Sequence, residues 1–188
     1  MALRCASSTL GCHYLPDMRL VPTDKTEEKF WLGKLPERGM TRLRKILSVL
    51  KPMLAEADSI PVIMGGDFNV HSHLDWTEET RNLYNHGGAV VRWPVSVAME
   101  KAGFKDSFRE MNPDAAAKLG VTWLTDADSL ETECRADRID FIYYRGKTIQ
   151  ATTSECYDNS LGKTFTFEGE DFFYPSDHGF VLSEFVLK

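Results

Sequence analysis

The sequence has no cysteine pair at metal-binding or redox spacing. Cys5, Cys12, Cys134 and Cys156 form neither a zinc pattern nor a Cys-x-x-Cys motif. Four thiols of this kind suit a reducing compartment, which makes a cytoplasmic setting the default expectation, with one or two bridges left open. There is no apolar run of the length that crosses a membrane. Met1 to Gly11 lacks the basic head and long apolar segment of a signal peptide. Repeats and low-complexity tracts are also absent. Positive charge is in deficit: 22 Lys and Arg stand against 28 Asp and Glu, a net charge of −6. That balance does not favour duplex nucleic acid as the main partner. It leaves a phosphate substrate open, because a bound divalent cation reverses the local sign.

What remains is enough for one folded domain over residues 1–188. The length supports a real core, and 43% apolar with 27% charged residues is the balance of a soluble globular chain. A short strand is expected around Cys5 to Leu10. Pro16 to Gly39 is polar and reads as a long loop, pinned by Phe30, Trp31, Leu32 and Leu35. Thr41 to Ala57 is the clearest helix. Leu43, Ile46, Leu47, Leu50, Met53, Leu54 and Ala57 recur at helical spacing, with Arg42, Arg44 and Lys45 on the other face. Pro52 predicts a kink there or the start of a second helix. Further short helices are predicted over Thr77 to Tyr84 and over Val95 to Ala102, the latter with Pro94 in its first turn and Gly103 at its end. Val121 to Leu124 and Arg138 to Tyr144 read as strands. Gly146 predicts a turn, with Thr148 to Thr152 pairing back as a hairpin. The acidic run from Asp126 to Asp137 reads as a solvated loop. Gly179 to Leu187 is the terminal strand. Helix followed by strand suggests an α/β layer.

The chemistry-bearing residues stand at the ends of apolar runs. Pro61 to Asn69 reads Pro-Val-Ile-Met-Gly-Gly-Asp-Phe-Asn. Val62 to Met64 form the end of a buried strand, and Gly65 and Gly66 allow a tight turn. Asp67 and Asn69 then follow the carboxyl end of the strand, where open sheets commonly bind ligands. Asp140 is a carboxylate inside an apolar strand, and such a group needs hydrogen bonds or an opposite charge. Asp177 and His178 precede the terminal strand. A histidine can exchange a proton with a phosphate oxygen or a water near neutral pH, and Asp140 is the candidate to fix its tautomer. Asp177 can hold a hard cation through oxygen. Asp67 can orient or deprotonate an attacking water, while Asn69 donates to developing charge. The set suits metal-assisted hydrolysis of a phosphate ester. His71 and His73 resemble a zinc pair, but no third histidine or cysteine stands near, so structural roles are favoured for both.

Gly66-Asp67-Phe68-Asn69, Thr122-Trp123, Arg138-Ile139-Asp140-Phe141-Ile142 and Ser176-Asp177-His178 occur in the order typical of the endonuclease/exonuclease/phosphatase family. The chain resembles that family from about Gly39 onward. Ser72-His73-Leu74-Asp75-Trp76 and Trp93-Pro94-Val95-Ser96 are similar to a less characterised microbial branch of it. The resemblance implies part of a four-layered α/β sandwich with two central, mostly antiparallel sheets. It implies that Asp67 activates the nucleophilic water, that Asn69 contacts the phosphate, and that Asp140 pairs with His178, which stabilises the phosphate or leaving group. Asp177 falls at the metal site, with Mg2+ or Mn2+ as the expected ion. His13 matches the histidine that follows an early strand in the family, although the surrounding Gly-Cys-His-Tyr-Leu departs from the usual pattern.

Nothing in Met1 to Leu35 matches the early family segments that carry an Asn and the metal-binding Glu. The expectation is therefore an N-terminally incomplete domain with an open sheet edge, completed by another segment or by self-association. The leading functional expectation is a divalent-metal-dependent phosphoester hydrolase. The alternative is a catalytically inactive fragment or an interaction module of the same family.

Overall fold

A computed structural model describes residues 2–7, 34–84, 86–123, 137–157, 164–167, 169–173, 176 and 178–188. Its elements in chain order are β1 (Ala2–Ser7), α1 (Lys34–Ala55), β2 (Val62–Asp67), α2 (Pro94–Lys101), β3 (Lys105–Asp106), α3 (Ser107–Met111), β4 (Asp140–Arg145), β5 (Ile149–Tyr157), β6 (Thr164–Phe167), β7 (Glu170–Phe173) and β8 (Phe180–Leu187). One sheet has the order β1-β8-β5, a second has β2-β4-β3, and β6 and β7 form a separate ribbon. Among the described residues every strand pairing is antiparallel. The fold is thus mixed α/β built on antiparallel sheets.

Strand β4 joins the two halves of the core. Successive side chains on a strand point to opposite faces. Phe141 and Tyr143 pack with Leu43 of α1 and with Val95 and Met99 of α2. Ile142 and Tyr144 pack the other way, with Ile149 and Ala151 of β5 and Val181 and Phe185 of β8. Strand β4 thus meets α1 and α2 on one side and β5 and β8 on the other. Burial on both faces explains the unbroken apolar run Phe141 to Tyr144.

Several expectations are corrected. Residues 34–39 belong to α1, so the expected loop does not extend to Gly39. Pro36 lies in the first turn, where a missing N–H costs no helical bond. Helix α1 also runs unbroken through Pro52. That proline stands within one turn of the end, so only one late hydrogen bond is lost. Leu43 is buried, but Ile46 and Met53 are exposed, so the helix seats a narrower apolar face than its spacing suggests. Thr77 to Tyr84 forms consecutive turns and no helix; the Thr80 hydroxyl bonds the Asp75 carbonyl and accepts from the Thr77 N–H. Helix α2, Pro94–Lys101, has the expected proline in its first turn and Ala102 as its C-cap. At the Val121 to Leu124 position the described residues show a single bridge, Trp123 to Asp137. Strand β5 does not pair back on β4. It crosses to the other sheet and pairs with β8 from Ile149 opposite Leu187 to Tyr157 opposite Phe180. The early strand lies at Ala2–Ser7, ahead of the Cys5 to Leu10 expectation, whose last three residues fall outside the described set.

Candidate active site

The register of β2 on β4 sets the site. Asp67 pairs directly with Asp140, the last residue of one strand with the first of the other. Gly65 and Gly66 are part of this ladder, opposite Ile142 and Phe141, and not a turn beyond it as the sequence suggests. Gly66 adopts a φ of 152°, a backbone that a side chain disfavours. Asp67 therefore ends the strand instead of following it. Phe68 turns away and packs edge-on against Phe141 and Tyr143.

Asn69 sits in the left-handed region at φ 52°, which Asn tolerates better than most residues. Asp67 holds it there. The Asn69 N–H donates to Asp67 Oδ1 at 2.7 Å, and its side-chain Nδ2 donates to Asp67 Oδ2 at 2.5 Å. Burial pushes the Asp67 carboxyl up from its ordinary value, and the facing Asp140 adds to this. The Asn69 bonds and His178 pull it back only in part.

Asp140 is fully buried. Its Oδ2 lies 2.9 Å from His178 Nδ1. His178 is 4% exposed, and its own N–H donates to Ser176 Oγ at 3.1 Å. The Trp123 ring lies against the imidazole with centroids 4.4 Å apart. Thr122 fixes both sides of this pair. Its hydroxyl oxygen accepts from the N–H groups of Ile139 and Asp140, each at 3.1 Å, and its carbonyl accepts from Gly179 N–H at 2.7 Å. Asp67, Asp140 and His178 each present a ligand atom within 4.8 Å of the others. Two carboxylates opposite one another repel. A hard cation is the natural counter-charge for such a donor set.

Four of the six expected site residues, Asp67, Asn69, Asp140 and His178, are thus brought together. The other two, His13 and Asp177, lie outside the described residues. His71 and His73 do not share a site. His71 lies 3.1 Å from Asp137 Oδ2, while His73 Nδ1 meets Ser96 Oγ at 2.9 Å and its Nε2 lies 3.3 Å from Glu100. Asp137 is not a solvated member of an acidic run, since it is fully buried.

Sequence reasoning missed a buried ion network behind the site. Asp75 accepts from Arg109 at 2.7 and 3.0 Å and from Arg138 at 3.0 Å on each of its oxygens. Arg138 also donates to Asp106, which caps α3 by accepting from the N–H groups of Phe108 and Arg109. Burial alone would loosen the Arg138 proton, but Asp106 and Asp75 outweigh it and hold the guanidinium charged. The one local signal was a charge adjoining an apolar run, at Arg109 after Phe108 and at Arg138 before Ile139.

Among curated proteins, the Caenorhabditis elegans "Uncharacterized protein F14F9.5" is 34% identical over 149 residues, covering 75% of this chain and 46% of that protein. The chain thus spans less than half the length of this relative. Among solved structures, truncated Caenorhabditis elegans TDP2 matches 88% of this chain and 51% of its own, at 16% identity and a TM-score of 0.41. The human Nocturnin catalytic domain with bound sulfate anion matches 89% of this chain and 45% of its own, at 17% identity and a TM-score of 0.39. The family model described as "Endonuclease/Exonuclease/phosphatase family" matches residues 9–178, beginning well ahead of Gly39. That match covers nearly the whole chain and includes every residue of the cluster at the β2–β4 register, so the chain belongs to the endonuclease/exonuclease/phosphatase family.

Proposed function

We propose that the chain is a phosphoester hydrolase that works with a divalent cation, magnesium or manganese. The observation that carries this reading is the convergence of Asp67, Asp140 and His178 within 4.8 Å, with Asn69 bound to Asp67. Asp67 and Asp140 supply hard oxygen donors for the ion, and the family resemblance adds Asp177. A cation held there would offset negative charge developing on the phosphate.

The residues themselves divide the remaining work. Asp67 orients the attacking water and takes its proton as the new P–O bond forms. Asn69 donates a hydrogen bond to a phosphate oxygen without adding charge. Asp140 holds the Nδ1–H of His178, so proton exchange falls to Nε2. As the ester P–O bond breaks, Nε2 protonates the departing oxygen. The substrate class is a phosphodiester or phosphomonoester, with duplex nucleic acid not favoured by the net charge of −6.

The test is hydrolysis of bis(p-nitrophenyl) phosphate in millimolar Mg2+ or Mn2+, beside His178→Ala. Turnover that falls about 10²- to 10⁴-fold in the variant is expected. Turnover no higher than in the variant assigns the chain to the non-catalytic alternative.

A further inference from the structure

Behind the cluster, a single buried carboxylate connects every segment that carries it. Asp137 Oδ2 accepts from Trp76 Nε1 at 3.0 Å and lies 3.1 Å from His71 Nδ1. His86 Nε2 stands 3.9 Å from the same oxygen, with its ring stacked on Trp76 at 4.1 Å. Asp137 Oδ1 accepts from Arg138 N–H at 3.0 Å. Its carbonyl accepts from the N–H groups of Thr122 and Trp123, both at 3.0 Å, and its own N–H donates to the Trp123 carbonyl. Trp93 closes the cluster, edge-on to His71 at 4.7 Å and to Trp76 at 5.5 Å.

His71, Thr122 and Trp123 lead from this carboxylate to site residues. His71 is two residues beyond Asn69. Asp137 is three residues before Asp140. Trp123 lies against His178, and Thr122 binds the N–H of Asp140. Burial alone would favour the neutral acid at Asp137. The neighbouring His71, with help from His86 and the Arg138 N–H, outweighs it and lowers the pKa, so the carboxylate is kept charged. A charged group held at zero exposure between the loop of His71 and Trp76, His86 and the Thr122–Trp123 pair fixes their spacing more tightly than apolar packing would.

We infer that Asp137 and His71 are positioning residues, setting the gap between the Asp67–Asn69 pair and the Asp140–His178 pair. The inference deepens the proposed phosphoester hydrolysis and rests on that reading for its effect on rate, but not for its effect on geometry. A brace that served stability alone would weaken the fold when cut and leave the site residues where they were.

The test compares Asp137→Asn, His71→Phe and His71→Gln with Val181→Ala, a core truncation in the other cluster. Phe keeps an aromatic ring between Trp76 and Trp93, and Gln keeps a donor for Asp137. Two readouts are taken: NMR resonances of the Asn69 side-chain amide and the His178 ring nitrogens, and steady-state kinetics on bis(p-nitrophenyl) phosphate. Both resonances should move in Asp137→Asn and His71→Phe, return toward wild type in His71→Gln, and stay put in Val181→Ala. In parallel kcat should fall about 10- to 100-fold with KM changed less than about twofold. If Asp137→Asn does not fold, His71→Phe decides alone. Unmoved resonances in the folded variants overturn the inference. Moved resonances in a protein without turnover leave the positioning intact and overturn the proposed hydrolysis instead.

Discussion

Two carboxylates face each other across a ladder at Asp67 and Asp140, an arrangement that natural sheets avoid unless the site uses it. The cost falls on Asp67, whose carboxyl is pushed above its ordinary value first by burial and then by Asp140. Between the unfolded value of 3.8 and the raised folded value, the native state binds more protons than the unfolded chain. Stability from this group is therefore present below 3.8 and lost as pH rises through the folded value. In chelator, Asp67→Asn should raise the melting temperature at pH 7, and the gain should vanish in acid, as a pH series of thermal melts would show. The same substitution should cut kcat by about 10²- to 10⁴-fold. A variant less stable at pH 7 than at pH 3, relative to wild type, would contradict the assigned strain. Asp67, Asn69, Asp140 and His178 were legible in the sequence because each stands at the end of an apolar run within a short motif. Asp75, Arg109, Arg138 and Asp137 were not, because their partners come from distant parts of the chain, as with Arg138 and Asp75, 63 residues apart.

At the scale of elements, the ion network is what fastens β4 and α3 to the loop after β2. Removing one member of a fully buried pair strands the other charges, which costs about 3–5 kcal/mol. Asp75→Ala should lose that much in urea denaturation, since both Arg109 and Arg138 bond to it. Glu155→Ala, which breaks the exposed pair with Lys118, should cost less than about 1 kcal/mol. The path from β4 to β5 depends on a different device. Gly146 has φ 142°, and a Cβ there would stand 2.4 Å from the Ala57 carbonyl oxygen, a backbone atom that cannot swing aside. Gly146→Ala should destabilise by about 1–3 kcal/mol by the same assay. That glycine was read as a hairpin turn because local residues mark a reversal without naming the sheet that receives the next strand. The choice is made by β8, whose buried Val181, Ser183 and Phe185 present a face that Ile149, Ala151 and Ser154 match. The Thr77 to Tyr84 segment failed as a helix for a related reason, since Thr80 spends its hydroxyl on turn carbonyls.

Across the whole molecule, the site straddles two sheets: Asp67 and Asp140 come from the β2-β4-β3 sheet, whereas His178 precedes β8 of the other. A buried hydroxyl chain crosses the same junction. Ser107 Oγ donates to the Ile142 carbonyl at 2.8 Å and meets Ser183 Oγ at 2.9 Å, which in turn meets Ser154 Oγ at 2.8 Å. Each hydroxyl has one proton, so the carbonyl at one end sets the direction. Ser154 donates to Ser183, Ser183 to Ser107, and Ser107 to Ile142. Ser183→Ala then removes the acceptor of Ser154 and leaves a buried donor unpaired, at a cost of about 1–3 kcal/mol. Ser154→Ala removes only the donor to Ser183, leaving an unfilled acceptor, which is the cheaper loss. The expected order in urea denaturation is a larger loss for Ser183→Ala than for Ser154→Ala. Each should unfold in one transition, because β4 contributes to both halves of the core. Turnover should fall with the first variant more than with the second, since Ser183 lies on the strand that His178 leads into. Equal losses would mean that Ser154 has another acceptor or that the proton order does not run from β5 to β4.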